Sequence, residues 1–193
     1  LEKALGRQYH LITRDDRLET VAQDIVRHFL GRGFVGKAMV VSIDKATALR
    51  IHGKVKVHWA AESARVQKEL GELHYQPRGG EMTPERARRD LRMAELKHRL
   101  EVLTSTDMAV IVSPGQNEIA QMQALGLDIE PHRKRMNESQ PGLDEKFKDT
   151  EDKLCLVFVC AMWLTGFDAP SCSTIYLDKP MRNHTLMQTI ARA

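Results

Sequence analysis

Three parts of the sequence combine residue types and spacing that could do chemistry. GRGFVGKA (31–38) reads G-x-x-x-x-G-K, the pattern of a phosphate-cradling loop, except that Ala38 stands where a Ser or Thr belongs. CAMWLTGFDAP (160–170) offers a carboxylate at Asp168 between Gly166, which permits a sharp turn, and Pro170, which fixes the exit of the loop. Its large apolar residues, Met162, Trp163, Leu164 and Phe167, imply that the loop packs against something while Thr165 and Asp168 face a partner. Taken alone, G-x-D-x-P is also an ordinary turn with a structural aspartate. In NHTLMQTIARA (183–193), Asn183 is a helix cap, and Gln188 and Arg192 fall on one face, about 6 Å apart along the axis. An amide and a guanidinium so placed suit a phosphate presented by a neighbouring lobe, because arginine stays charged and binds two oxygens at once. An exposed glutamine and an arginine that complements a helix C-terminus have the same spacing.

The elements that must position these residues decide between such readings. Asp15 or Asp16 can cap a helix with an apolar stripe at Leu18, Val21, Ala22, Ile25, Val26 and Phe29, ending in the glycines of GRGF. AMVVSI (38–43) then reads as a strand covered on both faces. A phosphate loop needs the reverse order, strand and then helix, so that backbone N–H groups converge on the anion. Gly31, Gly33 and Gly36 are better explained as a helix stop and a turn.

Residues 44–74 read as helical behind an Asp44 cap. YQPRGGEM reads as an exposed loop, and Thr83-Pro84 starts a long helix marked by Met93, Leu96, Leu100 and Leu103. The arginines of that helix are interleaved with acids, as on a solvated face, and a DNA-facing role stays open. MAVIV (108–112), LCLVFV (154–159) and STIYL (173–177) are further strands, and a short helix after Pro114-Gly115 is stopped by Gly126. PHRKRMNESQPG (131–142) reads as a polar mobile loop, and a short charged helix lies near 143–149. Residues 1–14 show no period and read as a linker or lead-in. Apolar strands separated by helices predict an α/β fold, a parallel sheet with helices on both faces.

Composition narrows the class. With 28% charged and only 5% aromatic residues, the 193-residue chain suits one helix-rich α/β domain with an appendage better than a sandwich or barrel. No apolar run approaches the ~20 residues that span a bilayer, and no signal pattern opens the sequence, so a cytoplasmic location without membrane contact is expected. Cys155, Cys160 and Cys172 form no C-x-x-C pair, so no metal site is expected. The net charge of +3 leaves any affinity for nucleic acid to local patches. A start at Leu1 and an end at Ala193 read as an excised fragment.

WLTGFDAP (163–170) followed by QTIARA (188–193) resembles motifs V and VI of superfamily 2 helicases, and in particular the restriction (R) subunit of type I restriction–modification enzymes. The similarity takes in GKAMVVSIDKATA (36–48), SPGQNEI (113–119), PHRKRMN (131–137) and YLDKPMRNHTLMQTIARA (176–193), nearly the whole chain.

The resemblance implies that residues 15–193 are the second of two RecA-like motor lobes, the C-terminal lobe of a P-loop NTPase pair, with 44–104 largely a helical insertion and the chain truncated after motif VI. It implies ATP and Mg²⁺ held mainly by an absent first lobe, with Gly166, Asp168, Gln188 and Arg192 at the nucleotide cleft. Arg192, supported by Gln188, would be the catalytic arginine finger. Ser42, Ser113 and Thr165 would approach the DNA backbone in sequence-independent contacts. The implied partners are double-stranded DNA, a first lobe and nuclease domain of the same parent chain, and methyltransferase and specificity subunits. The implied parent is an ATP-dependent DNA translocase and endonuclease, with this fragment inactive alone.

Cys160 departs from the threonine usual in generic superfamily 2 members at that place, and the sequence holds no D-E-x-H motif and no nuclease cluster of paired acids with E-x-K. Two other readings fit the residues: a superfamily 2 translocase without nuclease, and a non-catalytic RecA-like scaffold that binds DNA or protein.

Overall fold

The computed structural model describes residues 2–34, 36–74, 83–164 and 167–181, with side chains from residue 6 onward. In chain order the elements are α1 (Glu2–Ile12), α2 (Asp15–Gly31), β1 (Lys37–Ser42), α3 (Lys45–His74), α4 (Pro84–Ser105), β2 (Asp107–Ile111), α5 (Glu118–Ala124), α6 (Glu130–Glu138), α7 (Leu143–Lys148), β3 (Leu154–Val159) and β4 (Cys172–Asp178). The four strands form one parallel sheet in the order β2-β3-β1-β4.

The apolar strands follow from cover on both faces. Ala38 and Val40 of β1, Val110 of β2, and Leu156 and Phe158 of β3 join the core beneath α2, α3 and α4. The alternate residues Met39, Val41, Ala109, Ile111, Val157 and Val159 face a second core closed by Leu143 and Phe147 of α7 and by the segment after β3. Period-2 alternation divides β1, β2 and β3 between two cores, which is why their central residues are apolar on both faces.

Helix starts follow local chemistry. Asp44 accepts the Thr47 N–H at 2.7 Å and so caps α3. Thr83 accepts the Arg86 N–H at 3.2 Å and caps α4, with Pro84 in the first turn. At α2 the N-cap position is Arg14 without a side-chain bond, and Asp15 and Asp16 lie inside the first turn, where their charges suit the helix dipole. Gly33, at φ 73°, turns the chain out of α2. The loop expected at YQPRGGEM falls outside the described residues.

Two segments differ from expectation. Residues 2–12 are helical, and the Tyr9 hydroxyl ties α1 to the Asp44 carboxylate at 2.5 Å. Residues 130–138 form α6 rather than a mobile loop. This helix buries no residue fully and is held through arginines instead of an apolar stripe.

The first half of α3 covers the sheet with Ala48, Ile51 and Val55, and its second half pairs with α4. Across that pair Arg92 meets Glu69 at 2.7 Å and Arg99 meets Glu62 at 2.8 Å. Two arginines of α4 are thereby committed within the hairpin. No described helix is long and apolar enough to cross a membrane.

Candidate functional site

In a parallel α/β sheet the carboxyl ends of the strands form the edge where ligands gather. Registers align Val41, Val159, Ile111 and Leu177, so one residue further the edge runs Val112, Cys160, Ser42, Asp178 across the sheet. At ~4.8 Å per strand, Ser42 and the exit of β2 are about 10 Å apart.

The loop after β3 is held from below. Leu164, Phe167 and Ala169 are buried in the second core, and the Trp163 ring stacks on Phe167 at 4.2 Å and 7°. Phe147 packs on both, at 5.6 Å from Trp163 and 6.4 Å from Phe167. Trp163 takes a left-handed backbone, φ 68°, an unusual conformation for a bulky residue that the stack over-determines. Lys179, just past β4, donates to the Cys160 carbonyl at 2.9 Å and pins the start of the loop. Asp168 is exposed above this anchor.

The Ser42 side chain is fully buried, and its hydroxyl has no hydrogen-bond partner among the described residues. Such a hydroxyl, out of reach of solvent, typically costs about 1–3 kcal/mol while it stays unpaired. Ser113 is half-buried after β2, and its carbonyl accepts from Arg133 at 3.1 Å. At the end of β4, Asp178 pairs with Arg17 of α2 through both carboxylate oxygens, and the contact holds the arginine's pKa up.

The run PHRKRMN is spent on structure as well. Arg135 donates to the Met108 carbonyl at 2.7 Å and pairs with Asp107, while Arg133 donates to the Val112 carbonyl at 2.9 Å. Together they close the outer edge of β2. The sequence offers His132, Arg133, Lys134 and Arg135 as phosphate contacts or as a solvated loop, and what it does not reveal is the pairing of Arg133 with Glu118. The only signal for that pairing is membership of the segments PHRKRMN and SPGQNEI.

Lys37, the lysine of the G-x-x-x-x-G-K string, is 2% exposed and donates to the Lys146 carbonyl at 2.6 Å, at the C-terminal end of α7. Burial holds its pKa below the ordinary lysine value. Arg32 bonds Gly36 O at 2.7 Å and Thr174 Oγ1 at 2.9 Å, stapling the turn to β4. With the helix first and its lysine buried, the string is a turn and a helix cap.

Of the residues named from the sequence, the fold places Ser42 and Ser113 at the carboxyl edge, while Asp168 adjoins Ala169, whose carbonyl accepts from Cys172 at the start of β4. Thr165, Gly166, Asn183, Gln188 and Arg192 lie outside the described residues. Two grooves lie elsewhere. One of about 450 Å³ runs between the GRGF turn and α4, and one of about 530 Å³ runs between α3, α6 and β2. A cleft that needs a second lobe cannot appear as a pocket of one. Among the described residues no group of three or more His, Cys, Asp or Glu could hold a metal ion.

The parallel sheet with helices around it and a clustered carboxyl edge is an α/β fold consistent with a RecA-like lobe. Comparison with known proteins is more particular. Residues 127–193 match the family described as Type I restriction enzyme subunit R domain 3. The whole chain is 28% identical over 194 residues to the type I restriction enzyme MjaIXP endonuclease subunit of Methanocaldococcus jannaschii, covering 14% of that protein. It is 64% identical over 50 residues to the type I restriction enzyme HindI endonuclease subunit of Haemophilus influenzae, covering 26% of this chain and 5% of that one. The chain thus resembles a fragment of a type I restriction R subunit, and it spans only a small part of these relatives.

Proposed function

We propose that the chain is the second RecA-like motor lobe of an ATP-dependent, DNA-translocating type I restriction subunit. The observation that carries this reading is the family match over 127–193, which includes both WLTGFDAP and QTIARA. The loop after β3 supports it: buried aromatic packing beside it leaves Asp168 exposed, as a group facing a nucleotide between two lobes must be. In this reading ATP with Mg²⁺ sits mainly on a first lobe and supplies the phosphoryl-transfer chemistry. Arg192, supported by Gln188, would provide a permanent positive charge toward the γ-phosphate, and Gly166 and Asp168 would complete the wall. Ser42, Ser113 and Thr165 face the DNA backbone, and opening and closing of the lobes produces the steps. The parent chain brings the first lobe and nuclease domain, works with methyltransferase and specificity subunits, and acts in the cytoplasm on duplex DNA.

In a full-length R subunit carrying this segment, Arg192→Ala should lower DNA-stimulated ATP turnover by about 10³-fold or more, the range typical of arginine fingers. DNA affinity measured by filter binding should stay within about threefold, since the finger meets nucleotide and not DNA. Unchanged turnover sinks the finger assignment. Residues 1–193 alone should show no magnesium-dependent ATPase, and measurable turnover in a clean preparation would overturn the division of labour between lobes.

A further inference from the structure

We infer that Arg133, with Glu118 and Lys45, is a positioning clamp that fixes the loop after β2 against the start of α3, and so sets the spacing of the two loops, after Ser42 and at Ser113, that would meet the DNA backbone. The inference rests on the proposed function for its DNA role, and on geometry alone for the clamp.

Arg133 makes a bidentate pair with Glu118, Nε to Oε1 at 2.8 Å and Nη2 to Oε2 at 3.0 Å. The same guanidinium donates to the carbonyls of Val112 at 2.9 Å and Ser113 at 3.1 Å. One planar fork therefore holds both the exit of β2 and the first turn of α5. Both side chains are mostly buried, with 17% and 11% exposure. Burial alone would push the Glu118 carboxyl upward, but Arg133 and Lys45 outweigh it and hold the pKa below its ordinary value. A charged pair withdrawn from water with every bond aligned is stiff, because losing any one bond strands a charge.

Lys45 extends the clamp to the neighbouring strand. Its ammonium lies 3.4 Å from Glu118 Oε2, and Lys45 is the first residue of α3, three residues past Ser42. Gly115 comes so close that a Cβ there would lie 3.0 Å from Lys45 Nζ. The exits of β1 and β2 are not hydrogen-bonded neighbours, since β3 runs between them. The Lys45–Glu118–Arg133 chain spans that gap over the end of β3 and makes the two loops move as one body. Sequence-independent contacts to a regular backbone demand this, because their energy depends on the contacts keeping a fixed spacing.

The experiment uses the full-length R subunit carrying this segment, as wild type, Arg133→Lys and Glu118→Gln. Lysine keeps the charge opposite Glu118 but cannot reach both carbonyls and both carboxylate oxygens. In Arg133→Lys the amides of 113–117 should exchange about tenfold faster. The duplex DNA concentration that half-saturates ATPase stimulation should rise about tenfold, with turnover at saturating DNA within about twofold. Glu118→Gln, which leaves the guanidinium on its carbonyls, should shift half-saturation less. A merely structural pair predicts lower melting temperatures in both variants with half-saturation unmoved, and that result overturns the positioning role. Exchange at 113–117 unchanged in Arg133→Lys overturns the clamp itself. A wild-type subunit whose ATPase ignores DNA overturns the proposed function and the DNA role together, and the exchange rates still decide the clamp.

Discussion

Phe147→Ala should cost about 3–5 kcal/mol of stability and loosen the loop that carries Asp168. Phe147 is fully buried on α7, against both rings of the Trp163–Phe167 stack, with the Lys37 ammonium 5.7 Å above its own ring. Truncation to alanine preserves helix propensity, so the loss comes from transfer energy and from the cavity left under the stack. Against a total of about 5–15 kcal/mol for a typical domain, the loss is large. Its local consequence follows from Trp163, whose left-handed backbone persists only while the stack confines it. Without Phe147 the residue should relax, Trp163 emission should shift to the red, and proteases should gain access within 160–170. Urea unfolding measures the stability, and repeating the fluorescence with Trp163→Phe assigns the emission change against Trp59. A loss under about 1 kcal/mol, or an unmoved Trp163 band, means the loop is held by its own turns rather than by α7.

How much of this was legible in the sequence depended on what held each element. AMVVSI, MAVIV, LCLVFV and STIYL were legible because each strand feeds cores on one or both faces, and continuous apolar runs are the signature of such burial. The reversed order around GRGFVGKA was equally legible, and the structure adds the reason the lysine is there: Lys37 caps α7. The order β2-β3-β1-β4 could not be read, because it is set by packing between segments far apart in sequence.

The misread segments share one cause. α6 is held by Arg133 and Arg135 on main-chain carbonyls and carboxylates, and α1 is tied by Tyr9 to Asp44, so neither needs the apolar stripe that reveals a helix. A buried guanidinium and a solvated one look alike in sequence. The same blindness hid the pairing of Glu118 with Arg133, although SPGQNEI and PHRKRMN were both noticed. The candidate site was legible mainly through resemblance. The edge position of Ser42 and Ser113 follows from strand ends, whereas Thr165, Gly166, Gln188 and Arg192 lie outside the described residues.

Acid should weaken the fold through His52, well before most carboxylates titrate. His52 lies on α3 with 8% exposure, edge-to-face with Phe158 at 5.1 Å and with His132 at 4.9 Å. Burial first, then the like charges of His132, Lys56 and Arg135, hold its pKa near 3, and only Asp107 pulls the other way. His132 is lowered too, again chiefly by burial. The folded state therefore refuses a proton that the unfolded chain accepts near pH 6.5. Between pH 6.5 and about 3 the unfolded state binds more protons, so stability rises with pH across that window and is fully present above it. The slope approaches about 1.4 kcal/mol per pH unit once the unfolded histidine is charged, for a total on the order of 3–5 kcal/mol. His52→Leu removes the titration while keeping an apolar side chain of similar bulk against Phe158. Its stability, from urea unfolding at pH 4.5, 5.5, 6.5 and 7.5, should fall less steeply on acidification than that of wild type. The two curves should converge or cross as pH drops. Parallel curves over that range would show that His52 takes up its proton inside the fold at no cost, and that the groove between α3 and α6 is wetter than its packing implies.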